Sequence, residues 1–127
     1  ETLSDLPVIK AFVVRYPSAS AQSIQDFYDE YYAAKRKYDT KMLLAEQGDV
    51  DAFNRVQKIA PNAWDEAAGI RDTLTGHAQL IRMIYKNPKG TPEEKRQLID
   101  TLYSNMINIA KIGNESMQLL SNQLGDE

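Results

Sequence analysis

Few residues in this chain are of a type that does chemistry. His77 is the only histidine, and there is no cysteine. A nucleophilic triad or a histidine metal site needs several partners held together. Glu66 and Asp72 share the helix predicted around His77 but form no ligand motif with it. Without cysteine, disulfides and thiolate metal sites are excluded, and redox chemistry says nothing of the compartment. Carboxylates occur in pairs, Asp29-Glu30, Asp65-Glu66 and Glu93-Glu94. A di-metal helical bundle requires Glu-x-x-His twice with further inward glutamates, and that pattern is missing. Asp65 and Glu66 fall in the first turn of a predicted helix, where acids suit the dipole. Paired carboxylates also serve glycoside hydrolysis, but nothing in these three pairs specifies it. Gly90-Thr91-Pro92 opens a helix as an anion site does, yet Glu93 and Glu94 behind it would repel a phosphate. The expectation is a chain with no catalytic residues, no metal and no cofactor.

One stretch mixes aromatic and basic residues. Tyr31, Tyr32, Lys35, Arg36, Lys37, Tyr38 and Lys41 lie within eleven positions. Such a stripe suits a nucleic acid, with rings stacking on bases and cations meeting phosphates. In the plainer reading Tyr28, Tyr31 and Tyr38 face the core, and the bases are solvated beside Asp29 and Glu30. The net charge of -3 argues against binding nucleic acid through the overall field. A second basic cluster, Arg82, Lys86, Lys89, Lys95 and Arg96, brackets the turn before the last helix.

The elements that position these residues read as helices throughout. Asn87-Pro88-Lys89-Gly90 is a turn. Thr91 follows as N-cap, with Pro92 at the first helical position and Glu94 three residues on, which makes a capping box. Leu98, Leu102, Met106, Ile109 and Ile112 then recur at helical spacing, widened by Ile99, Tyr103, Ile107 and Ala110. A stripe so broad predicts a core helix touched from two sides. Upstream, Leu3 to Tyr16 predicts a short apolar helix capped by Ser4 or Asp5, although its β-branched residues also allow a strand. Its outward-looking apolar residues make Phe12 and Val13 candidates for meeting a partner, alongside Tyr31, Lys35, Arg36, Lys37 and Lys41. Docking within the chain is the favoured alternative for this helix.

After Pro17 and a loop with capping serines, a long helix spans about Ala21 to Gln47 and closes at Gly48. Asp49 caps a shorter one, Val50 to Ala60, with Val50, Phe53, Val56 and Ile59 along one edge. Another long helix runs from Pro61 or Asn62 to about Lys86, and Gly69 and Gly76 within it predict a close helix crossing near Ala68–Gly76. The tail Gly125-Asp126-Glu127 is expected to fray. At 127 residues, one all-α domain is expected: an antiparallel bundle of three long helices plus one or two short ones. No run is apolar and long enough to span a bilayer, and the N-terminus carries no secretion signal pattern. Glu1 in place of an initiator methionine points to a piece of a larger protein.

Four segments carry a likeness. Leu6-Pro7-Val8-Ile9-Lys10-Ala11-Phe12-Val13, Phe27-Tyr28, Pro92-Glu93-Glu94-Lys95-Arg96-Gln97-Leu98-Ile99-Asp100 and Met106-Ile107-Asn108-Ile109-Ala110-Lys111 lie in order along the chain. Together they resemble a helical domain near the ends of very large polyvalent proteins of phages and mobile elements, among them internal virion proteins ejected with DNA. The resemblance spans most of the chain through loose helical patterns. It implies a module with an assembly role, in the virion or the host cytoplasm, and no catalytic residues. The expected function is a non-enzymatic structural or interaction module that meets a protein partner or a second copy. The alternative is a nucleic-acid-associated domain using the stripe from Tyr31 to Lys41.

Overall fold

The computed structural model describes residues 2–18 and 21–125. Every regular element among them is helical: a 3-10 turn at Leu3–Asp5, then α1 (Pro7–Arg15), α2 (Gln22–Glu46), α3 (Val50–Gln57), α4 (Ala63–Lys86) and α5 (Pro92–Leu124). The strand alternative for the N-terminal segment is overturned.

α5 is the hub of this helical bundle. It packs on α2 and α4 along much of its length and is crossed by α1, whereas α2 and α4 touch each other sparsely. Its start is as expected. The Thr91 hydroxyl accepts from the Glu94 amide at 3.2 Å, and the Glu94 carboxylate accepts from the Thr91 amide at 3.2 Å. Its inner line is the half of the expected broad stripe that runs through Ile99, Tyr103, Met106 and Ala110, continued by Gly113. Ile99, Tyr103, Met106, Ala110, Gly113, Met117, Leu120 and Leu124 are buried, stepping by four and three down the whole helix. Leu98 and Ile112, expected in the core, are exposed. The inner line contains Ala110 and Gly113, whose smallness lets neighbours approach.

That approach is closest at Gly113. A Cβ there would lie 2.6 Å from Phe27 Cδ1 of α2 and 3.2 Å from Ile70 Cγ2 of α4. The crossing expected near Ala68–Gly76 is present, with Ile70 against Gly113 and Thr75 at Tyr28, but the glycines do not make it: a Cβ at Gly69 or Gly76 would meet nothing within 4 Å. The core is tightest where α2, α4 and α5 meet, one helix away from where the glycine count pointed.

The N-terminal helix is shorter than expected. The residue before a proline is driven out of the α region, and Leu6 is extended at φ -65 and ψ 131. A 3-10 turn therefore stands apart, held by the Thr2 hydroxyl donating to Asp5 at 2.9 Å. Neither Ser4 nor Asp5 caps α1, whose N-cap is Leu6 with no side-chain bond. α1 docks by burying Leu6, Ile9 and Phe12. The Phe12 ring meets Tyr103 edge-on, with centroids 5.0 Å apart, and Arg15 pairs with Asp100 of α5.

Of the capping serines expected before α2, Ser20 lies outside the described residues, and Ala21 is the N-cap with no side-chain bond. Gly48 at φ 99 ends α2 as expected, letting the Asp49 amide reach the Leu44 carbonyl at 3.0 Å. The frayed tail expected at Asp126 and Glu127, and the unusual first residue Glu1, also lie outside the described residues.

Candidate interaction faces

The aromatic-basic stripe of α2 turns inward at its rings. Tyr31 is buried, next to Phe27, with its edge to Trp64 of α4 and the Arg71 guanidinium 5.5 Å from its ring centre. Arg71 also reaches the Tyr31 hydroxyl at 3.4 Å. The Lys35 ammonium lies 5.2 Å from the Tyr38 ring centre and 5.4 Å from that of Trp64, and it pairs with Asp39 at 3.2 Å. The chain thus supplies its own cations to these rings. Lys37 donates to the Ser121 hydroxyl of α5 at 3.2 Å. Arg36 is exposed, Lys41 half-buried, and Tyr32 is the ring of the stripe left substantially open.

The two N-terminal candidates divide differently. Phe12 is a core residue under Tyr103, so its ring offers no surface to a partner, and Val13 is half-buried against the same core. Val14 beside it, which the sequence reading did not single out, is exposed.

Two members of the second basic cluster are engaged. Arg96 pairs with Glu93 and, at 3.3 Å, with Asp100, while Lys95 donates to the Asn87 carbonyl. The Arg96 side chain holds the Glu93 carboxyl below the ordinary glutamate range. Lys86 sits in the last turn of α4, where a cation suits the dipole. His77 is half-buried, and its Nδ1 donates to the Thr73 carbonyl at 2.8 Å. Among the described residues no group of three or more histidine or acidic side chains is placed to hold a metal.

The corner of α2 and α3 stands out. Val50, Phe53, Val56 and Ile59, placed along one edge from the sequence, do not share one environment. Ile59 is buried, in the turn just after α3, and Val56 is half-buried. Val50 is 70% exposed and Phe53 50%. The residue that α3 buries is Ala52, one position off the expected edge. Asp49 fixes this orientation by accepting from the Ala52 amide at 3.0 Å. At the adjoining end of α2, Leu43 is 56% exposed and Met42 36%. Four exposed apolar side chains therefore flank the short turn that joins α2 to α3. Periodicity found the amphipathic helix, but the position it buries is Ala52 and not the large apolar side chains Val50 and Phe53. Comparison with family models, with curated proteins and with solved structures gives no match for this chain.

Proposed function

We propose that this chain is a non-enzymatic interaction module that docks on protein through the corner formed by Met42, Leu43, Val50 and Phe53. The observation that carries the reading is that α3 spends its largest apolar side chains on solvent while burying an alanine. Exposed apolar groups gathered in one place mark contact surfaces more often than those scattered singly. The reading includes an antiparallel arrangement of the three long helices. It is supported by Tyr28 of α2 at Thr75 and Tyr38 at Trp64, so that α4 descends as α2 rises. Asn114 at Ser23 and Ser121 at Lys37 support α5 ascending with α2.

The phage context stays part of this proposal and rests on the sequence resemblance alone: a module of a large virion protein, assembled or ejected with the genome. The reading frame around the coding segment tests that context, since a short stand-alone frame is incompatible with it. Nucleic-acid binding by the α2 stripe is the weaker reading. Stacking needs free ring faces, and Tyr31, Tyr38 and Trp64 are buried or covered by Lys35 and Arg71.

Two-dimensional NMR at rising protein concentration tests the docking corner with a second copy as the first partner. Amide shifts at Leu43, Val50 and Phe53 should move together and saturate, while those at Phe12 and Tyr103 stay still. Movement centred on α1 instead would reject the corner.

A further inference from the structure

A second apolar patch is exposed near the end of α4. Leu80 is 47% exposed and Met83 68%, and their spacing of three puts them on one side of the helix. With Ile84 and Pro88 they wall a shallow notch of about 470 Å3, and Lys86 lines it too. Lys86 and Lys89 are exposed and form no ion pair among the described residues. The acids that follow them are spent locally, Glu93 on Arg96 and Glu94 on the Thr91 cap. The corner of α2 and α3 has the opposite rim. Glu46 follows Met42 by four residues and Leu43 by three, so it shares their side of α2. Asp49 immediately precedes Val50. Both acids are exposed, and neither forms an ion pair among the described residues. Of the nearest bases along the chain, Lys41 is half-buried and Arg55 is paired with Asp51 at 3.0 Å.

The two patches lie too far apart to meet within one copy. Gln25 of α2 lines a cleft with Arg82, the residue before Met83. Leu43 is a further 18 positions along α2 (43 minus 25), about 27 Å at 1.5 Å per residue. We propose that the patches meet between copies: the corner of one copy, with Phe53 foremost, seats in the notch of the next. This rests on the corner being a docking face, and it names the partner as a second copy arranged head to tail. Charge selects that arrangement over a two-fold one. A two-fold pairing of corners would set Glu46 and Asp49 against the same acids of the other copy, whereas corner on notch sets them against Lys86 and Lys89. Because the two surfaces differ, each contact leaves one corner and one notch free, and association continues as an open chain or closes as a ring.

The test is sedimentation velocity of the full chain with two surface variants. Val50→Ser, Phe53→Ser removes the corner, and Leu80→Ser, Met83→Ser removes the notch. Each alone should be monomeric with the melting temperature of the parent. Mixed in equal amounts they should form a one-to-one dimer and nothing larger, since one intact notch and one intact corner remain between them. Lys86→Glu should weaken association of the parent severalfold, and Glu46→Lys added to the same chain should restore it. A notch variant that associates as the parent does, beside a monomeric corner variant, would overturn the head-to-tail contact and leave the docking corner standing. A mixture that stays monomeric would overturn that contact as well. A corner variant that associates as the parent does, or a parent that stays monomeric, would overturn both the contact and the docking corner.

Discussion

α1 and α3 are close in length, nine and eight residues, and both carry apolar side chains at helical spacing. α1 buries Ile9 and Phe12, adds Leu6 just before its start, and pins its end to α5 through Arg15 and Asp100. α3 buries Ala52 alone and holds Val50 and Phe53 out. The difference lies in what each helix meets. α1 crosses α5 where Tyr103 offers an aromatic edge to Phe12. α3 is tied to α2 by the short turn Gln47-Gly48-Asp49, and Ala52 is the side chain it buries. Helical periodicity says which side chains share a face. Whether that face is covered depends on the geometry of the connection and on the size of the residue that makes contact.

Six substitutions probe the contrast, in falling order of effect. Phe12→Ala removes a core aromatic and should destabilise by about 3–5 kcal/mol in chemical denaturation. A loss below about 1 kcal/mol would place α1 with α3 as a surface helix. Gly113→Ala should destabilise by about 1–3 kcal/mol, since the new methyl overlaps Phe27. That loss stands against the gain of about 1 kcal/mol in helix propensity that Gly69→Ala and Gly76→Ala should show in open space. If all three changes behave alike in denaturant, the tight point is not at Gly113.

Thr91→Ala should cost about 1 kcal/mol through loss of the cap, read from the denaturation midpoint. It also carries a pH signature. The Thr91 hydroxyl, then its amide, hold the Glu94 carboxyl below the ordinary glutamate range. Stability from such a depressed group is present above its unfolded pKa and is lost as pH falls through the folded value. The melting temperatures of parent and Thr91→Ala should therefore converge on acidification, and a gap that widens would contradict the box. The smallest effect is expected at the corner. Phe53→Ser should shift stability by no more than about 0.5 kcal/mol, as surface changes do.

Much of the fold was legible because its signals are local. Thr91, Pro92 and Glu94 announce a helix start within four residues, and Gly48 and Asp49 mark one helix end and the next beginning. The inner line of α5 was less legible. Leu98 and Ile112 outweigh Ala110 and Gly113 on any hydrophobicity count, yet small residues are what allow α2 and α4 to close in. The break at Leu6 was readable from Pro7 and was missed because the apolar run continued across it. Of the candidate site, the stripe from Tyr31 to Lys41 was found as residues but not as an environment. The partners that close it, Trp64 and Arg71, lie on another helix. The corner at Val50 and Phe53 left no sequence signal distinct from that of a buried edge.

Sedimentation velocity over a wide concentration range bears most directly on the central claim, that α3 presents a docking face while α1 belongs to the core. The parent chain should associate reversibly. A Val50→Ser, Phe53→Ser double variant should stay monomeric with an unchanged melting temperature. A parent chain that remains monomeric at every concentration, or a double variant that associates as the parent does, would contradict the account.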